Sequence, residues 1–256
     1  MTDQVILQAE GLKFGFPGTN KLILNDVSLS ISRGETLALV GRSGSGKSTL
    51  ARILLRLMKP QRGQISFNGA DWLALQGKHL RQMRAKMQMV FQDPLAAFNP
   101  HSTICTLLDE PLRIHGMREV HQRAIMITQL LHRVALDPAL ITRRVDEVSG
   151  GQRQRIAIAR ALATKPELIV LDEAVASLDV SVRAHILDLL QDIQAQDQTS
   201  YLFITHDLAV AKKIAHKIAV IDEGKIVEYG RADDILDDPQ TAITKALIAA
   251  SPRLKR

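Results

Sequence analysis

"TLALVGRSGSGKSTLARILLRLMKP", residues Thr36 to Pro60, changes its hydrophobic period partway along. Leu37 to Val40 is an unbroken apolar run, the pattern of a strand buried on both faces of a parallel sheet. From Ser48 to Met58 apolar residues recur at helical spacing, and the pattern stops before Pro60. Between the two lies GRSGSGKS, Gly41 to Ser48, which fits G-x-x-x-x-G-K-[ST] with the strand before it and the helix after it that the pattern requires. Glycines let backbone N–H groups turn inward toward phosphate oxygens. The helix start adds the positive end of its dipole. Lys47 is placed to reach β- and γ-phosphates and the Ser48 hydroxyl to bind Mg²⁺, with Gly41, Arg42, Ser43, Gly44, Ser45, Gly46 and Thr49 completing the cradle. A flexible Gly/Ser turn with a solvated lysine would lack these flanks. The chain is expected to bind a nucleotide.

Further on, "ELIVLDEAVASLD", Glu167 to Asp179, runs four apolar residues into two adjacent carboxylates, Asp172 and Glu173. Paired negative charges at the end of a buried strand are costly. In phosphate-loop proteins an acid at the end of a neighbouring strand helps to hold Mg²⁺, which gives Asp172 that role. Neighbours on a strand point to opposite sides, so Glu173 is free for a different one, orienting the attacking water.

"VSGGQRQRIAIARAL" has capping-box spacing, with Ser149 and Gln152 ahead of a helix. Gly150 and Gly151 stand in its first turn, where glycine costs helix stability. Lacking Cβ, they let a ligand approach the backbone N–H groups closely. From the residues alone, a well-capped helix and a second anion site are equally good readings.

Composition bounds the rest. At 256 residues, 46% hydrophobic and 23% charged, the chain can bury an ample core. Its net charge of +6 admits nucleic acid, membrane or phosphate partners, but the basic residues are scattered. The single Cys105 excludes an intramolecular disulfide, a cysteine zinc site and an iron–sulfur cage, and suits a reducing cytosol. No secretory leader and no apolar stretch long enough to span a bilayer is evident. Strands are expected in the first third, at "GQISFNG", "MQMVFQD", "LIVLDE", "YLFITHD" and "KIAVIDEGKIVEYG". A basic amphipathic helix is expected at "GKHLRQMRAKMQ", a helical subdomain over about 94–148 and a helical tail over about 231–256. The fold class is therefore α/β: a parallel sheet of the phosphate-loop NTPase (RecA-like) kind, with an antiparallel β subdomain and a helical subdomain.

In this order of motifs the sequence resembles the ATP-binding subunits of ABC transporters. Gly41–Ser48 resembles Walker A, Gln92 in "FQDP" the Q-loop, "VSGGQ" the LSGGQ signature, and "LIVLDE" Walker B. "SLD" at Ser177–Asp179 resembles the D-loop, and His206 in "FITHD" the switch histidine. Phe16 falls where the family often has an adenine-stacking aromatic. The resemblance covers essentially the whole chain; Val148 for Leu and Ala174 for Pro are its departures. It implies ATP and Mg²⁺ as ligands, with Glu173, His206 and Gln92 catalytic, and Ser48, Gln92 and Asp172 about the Mg²⁺. It further implies a head-to-tail dimer with a second ATP-binding subunit, identical or homologous, in which Ser149, Gly150, Gly151, Gln152 and Asp179 serve the opposite nucleotide. Two transmembrane permease subunits would hold the dimer at the cytoplasmic face of the bacterial inner membrane, and a solute-binding protein would act indirectly. Gln92 and the helical subdomain would form the coupling surface. His206 ends an apolar strand, at the edge where ligands of open α/β sheets bind. The other seven histidines show no metal-ligand spacing.

"VFQDPLAAFNPHSTI" and the tail "DDPQTAITKALIAASP" are similar to the peptide and nickel importer family. "LDEAVASLD", with Ala174, and a tail without the cysteines of some oligopeptide relatives are more similar to nickel-import ATP-binding subunits than to dipeptide or oligopeptide ones. Nickel, free or chelated, is the expected cargo; a peptide or metallophore importer is the alternative. An ABC-type ATPase acting on DNA would carry coiled coils or zinc cysteines that this chain lacks, so no nucleic-acid partner is expected. A non-hydrolysing regulatory module would have no use for Glu173.

Overall fold

The structure is a computed structural model that describes residues 4–19 and 21–251. The last part of the expected tail, 252–256, lies outside the described residues. Two sheets organise the chain. Strands β1 (Val5–Gly15) and β2 (Leu22–Ser32) start an antiparallel sheet, and β3 (Thr36–Val40) leads into helix α1 (Lys47–Leu54). After β4 (Arg62–Phe67), β5 (Ala70–Asp71) and α2 (Gly77–Ala85), strand β6 (Met87–Val90) is followed by helices α3 (Pro94–Ala97), α4 (Ile104–Ile114), α5 (Val120–Arg133) and α6 (Gly150–Leu162). Then come β7 (Leu168–Asp172), α7 (Val180–Asp197), β8 (Ser200–Thr205), α8 (Leu208–Ile214), β9 (Lys217–Asp222) and β10 (Lys225–Arg231), and the helices α9 (Ala232–Asp237) and α10 (Ala242–Ala249).

The antiparallel sheet has the order β2-β1-β4-β5 and the second sheet β10-β9-β3-β8-β7-β6. All neighbours in the second sheet are parallel except the edge hairpin of β9 and β10. Burial follows the period-two rule. Leu168 and Val170 of β7 face a core shared with α1 and the antiparallel sheet. Ile169 and Leu171 face the core under α4 to α7. Every residue of β3, β7 and β8 is buried, which is why these strands read as unbroken apolar runs.

Between Pro94 and Val148 the described elements are helices and short 3₁₀ turns, with one isolated bridge, Thr103 to Arg144. The tail is anchored by Glu228 of β10, whose carboxylate accepts from Gln240 N (2.8 Å), Thr241 N (3.1 Å) and the hydroxyls of Thr241 (2.9 Å) and Thr244 (2.5 Å). Helical spacing extends to Met58, yet α1 ends at Leu54. Arg56 turns to φ 53, and Leu57 N donates back to Arg52 O at 2.8 Å, a Schellman-type stop. The Arg56 guanidinium holds that turn by donating to Trp72 O (2.9 Å) and Leu75 O (2.7 Å).

Candidate functional site

Strand order brings the motifs to one edge. Val40 pairs with Thr205 and with Val220, and Asp172 pairs with Ile204, so β3, β7, β8 and β9 end level. The loop after β3, the acids ending β7, His206 after β8 and Gln92 after β6 are therefore gathered at the carboxyl edge.

The phosphate loop is fixed by its glycines. A Cβ at Gly41 would meet Ile221 O at 2.2 Å, so only glycine lets the loop lie against β9. Gly46 has φ 107, and a Cβ there would meet Leu24 Cδ2 at 2.9 Å. Lys47 is buried, its ammonium donating to Gly41 O (2.9 Å) and Arg42 O (2.8 Å). Burial holds its pKa below the ordinary lysine value, against the pull of the Glu173 and Asp172 carboxylates. Ser45 Oγ is buried without a partner in the same loop, a hydroxyl ready to meet an added acceptor. Beside it Lys21–Ile23, Arg42–Ser45 and Asp222–Gly224 line a cavity of about 440 Å³. Sequence reasoning missed that second wall; its signal was the turn Asp222-Glu223-Gly224, where Gly224 has φ 74 and a Cβ would strike Ile23 O at 2.2 Å.

The two carboxylates part company. Ser48 Oγ donates to Asp172 Oδ1 at 3.2 Å, linking helix α1 to strand β7. Burial raises the Asp172 pKa above the ordinary carboxylate value, opposed by the Ser48 hydrogen bond and reinforced by the neighbouring Glu173. Glu173 has φ 48 and has already left the strand, so its direction is set by this turn rather than by strand alternation. Its N–H donates to Ile204 O at 3.0 Å. Its side chain takes the Gln92 amide on Oε2 (3.2 Å) and faces His206 Nδ1 from Oε1 (3.5 Å). Gln92 is thus seen on Glu173.

The remaining candidates lie apart from this cluster. Ser149 and Gln152 form the capping box in full: Gln152 N donates to Ser149 Oγ (3.2 Å) and Ser149 N to Gln152 Oε1 (2.9 Å). Gly151 packs on α7, where a Cβ would meet Val182 Cγ1 at 2.7 Å. Asp179 caps α7, accepting from Val182 N (2.9 Å) and Ser181 Oγ (2.8 Å). The Val182 hydrogen bond, first among these, lowers its pKa. Among the described residues no side-chain hydrogen bond joins 149–152 to the phosphate loop. Phe16 is 45% exposed and meets Phe14 edge-on, with ring centroids 5.3 Å apart. Arg183 and Asp207, which brace this region, were not singled out from the sequence.

A phosphate cradle, a Ser–Asp oxygen pair and a strand-end acid on one sheet edge define a phosphate-loop nucleotide-binding protein. Its family follows from comparison with known proteins. The family model described as ABC transporter matches residues 24–176, and the chain belongs to that family. It is 47% identical over 229 residues to a probable peptide ABC transporter ATP-binding protein of Sinorhizobium fredii, covering 90% of this chain and 65% of that protein. It is 45% identical over 256 residues to the glutathione import ATP-binding protein of Salmonella paratyphi A, covering 96% of this chain and 41% of that protein. The chain thus spans less than two thirds of the length of both relatives. A solved dimeric ATP-binding cassette in a post-hydrolysis state, bound to ADP and Pi, matches with a TM-score of 0.79 at 27% identity, covering 88% of this chain and 98% of that one. Among the described residues no helix is long and apolar enough to cross a membrane.

Proposed function

We propose that this chain is the ATP-hydrolysing subunit of an ABC importer that takes up a small peptide. The observation that carries the hydrolytic half is the meeting of Ser48 with Asp172, and of Gln92 and His206 with Glu173, at one sheet edge. The residues fit nucleotide and metal. Ser48 and Asp172 present two oxygens, which suits a Mg²⁺ that keeps waters and phosphate oxygens as its other ligands. Bound there, Mg²⁺ supplies charge neutralisation to the phosphates. Lys47 exchanges its two carbonyl partners for phosphate oxygens, and the orphan Ser45 hydroxyl gains an acceptor. Glu173, released from the Gln92 amide, accepts a proton from the attacking water, and His206 donates toward the phosphoryl group. Phe16 offers an exposed ring to the base.

Ser149 to Gln152 and Asp179 serve the nucleotide of a second ATP-binding subunit, identical or homologous, in a head-to-tail dimer. Two permease subunits dock on the helical side, where Ala97, Phe98, Asn99, Asp109, Arg113 and Arg160 line a cavity of about 620 Å³. The dimer then works peripherally at the cytoplasmic face of the bacterial inner membrane, and a solute-binding protein delivers cargo. Gln92, whose amide nitrogen donates to Glu173, would offer its amide oxygen as a further ligand to a bound Mg²⁺.

For the cargo, relatives named for peptide and glutathione import favour a peptide. The nickel expectation rested partly on Ala174, which is 2% exposed and packed in the core under the helices, so its identity reports packing rather than cargo. Deleting the gene and measuring uptake of labelled dipeptide and glutathione beside nickel content tests this. Lost peptide uptake with normal nickel is expected; lost nickel with normal peptide uptake would make nickel the cargo.

A further inference from the structure

Arg183 sits on α7, four residues past Asp179, with no phosphate or substrate contact assigned to it. Its side chain is largely buried, 18% exposed, and its guanidinium reaches two separate segments. One terminal nitrogen donates to Asp207 Oδ2 at 3.1 Å. The other donates to Leu178 O at 3.1 Å and Ala176 O at 3.4 Å. Each segment adjoins a member of the Glu173–His206 pair. Ala176 N donates to Glu173 O at 3.0 Å, so the loop held by Arg183 is the one that leaves Glu173. Asp207 follows His206, and its backbone N–H donates to Thr205 Oγ1 at 3.0 Å. Its Oδ1 caps α8 through Ala209 N (3.0 Å) and Val210 N (3.4 Å). Glu173 N already donates to Ile204 O on the other side. The contacts close a ring: Glu173, the loop to Leu178, Arg183, Asp207, His206, Ile204, and Glu173 again.

We infer that Arg183 is a positioning residue that sets the spacing of the Glu173 carboxylate and the His206 imidazole by clamping the chain on both sides of them. Glu173 needs such a clamp because its φ of 48 is a strained conformation for a residue with a Cβ. A planar fork suits this clamp because it meets a carboxylate and two carbonyls at once, which a lysine ammonium on a flexible stem does not do with the same geometry. Arg183 Nε is buried with no partner, so the clamp acts through the two terminal nitrogens alone.

This rests on Glu173 and His206 being the catalytic pair, and the test separates the two ideas. In the full chain, ATP turnover, KM and nucleotide affinity are measured for wild type, Arg183→Gln, Arg183→Lys, Asp207→Asn and the Gln/Asn double variant. The phosphate loop is outside the ring, so kcat falls by about 10- to 100-fold while affinity holds, as expected when reacting groups are misplaced by a fraction of an ångström to an ångström. The double variant is no worse than the worse single, because both break one ring, and Arg183→Lys restores only part of the rate. Unchanged kcat, equal losses in kcat and affinity, or multiplying losses would each overturn the inference. Should Arg183→Gln fail to fold, Asp207→Asn decides, since it keeps the cap's oxygen acceptor. If the wild type does not hydrolyse ATP, the catalytic reading fails by itself, and histidine-labelled NMR without nucleotide decides the clamp. The clamp requires the His206 resonances to move in Asp207→Asn and Arg183→Gln while those of His216 stay; unmoved His206 resonances overturn it.

Discussion

Among the described residues two helix N-termini, those of α1 and α6, have glycine-rich starts, and they are finished to different degrees. The start of α1 is surrounded by its own chain: β9 lies against Gly41, Asp172 meets Ser48, and Lys47 is buried in the loop. The start of α6 is satisfied only locally, by the reciprocal bonds of Ser149 and Gln152, and Ser149 and Gly150 are exposed. One terminus is enclosed by segments of its own chain. The other is a capped helix end that faces outward, and in the proposed dimer it would meet a phosphate of the second chain's nucleotide. A nucleotide held by both would act as the adhesive between subunits, so hydrolysis would control association.

The most severe break in that scheme is Glu173→Gln. A neutral amide is a poor base, and losing a positioned general base costs about 10²–10⁴-fold in rate. Asp172 and Ser48 are untouched, so MgATP still binds, and the sandwich formed through the α6 terminus outlives its normal cycle. Size-exclusion chromatography with MgATP should show a dimer. Adding Ser149→Arg to the same chain should dissolve it, by filling the outward-facing terminus. A dimer indifferent to Ser149→Arg would mean that the two termini do not share a nucleotide. Because homologous subunits can pair, the assay is run in the assembled complex as well.

Lys47→Ala tests the finished terminus alone. If its charge acts on the transferring phosphoryl group as proposed, removing it costs about 10²–10³-fold in turnover. The fold should survive, because Lys47 is desolvated and its burial already works against its charge. Phosphate release and thermal melting are measured together. Near-normal turnover in a folded variant would remove Lys47 from the site.

The finished terminus was also the more legible in sequence. Apolar runs named β3, β7 and β8 because strands buried on both faces have no polar alternation to hide them. The capping box was legible because both of its bonds are local. What was hidden depends on partners far along the chain. The stop of α1 at Leu54 needs Trp72 O and Leu75 O to hold Arg56, which no local pattern announces. Glu173 reads as a strand residue, yet it stands in a left-handed turn, its N–H on the Ile204 carbonyl and its carboxylate facing Gln92 and His206 from distant segments. Arg183 reads as one more basic residue on a helix. Sequence patterns reveal periodic burial and local capping, whereas the geometry around Glu173 is made by contacts between segments.

The smallest expected effect concerns the cost of holding the finished terminus ready. Burial raises the pKa of Asp172 in the folded chain above its ordinary value. Between the ordinary and the raised value the folded state binds more protons than the unfolded one, so this group's contribution to stability falls as pH rises through that window. Above that window the ionised carboxylate carries the whole burial penalty, and acidification into the window relieves it. Asp172→Asn removes the charge and keeps an oxygen that can accept from Ser48. It should therefore melt higher than wild type without nucleotide or metal at neutral pH. A gain of about 1 kcal/mol would appear as about 2–4 °C in a chain of this size. The difference should shrink as pH falls toward the ordinary carboxylate value, where wild-type Asp172 is itself protonated. If Asp172 holds the metal as proposed, MgATP should reverse the ranking, because tighter ligand binding stabilises more and the amide would be the weaker metal ligand. Melting curves at several pH values, with and without MgATP, measure both signs. If the variant melts lower than wild type in ligand-free buffer at neutral pH, Asp172 is held by favourable contacts rather than against its burial.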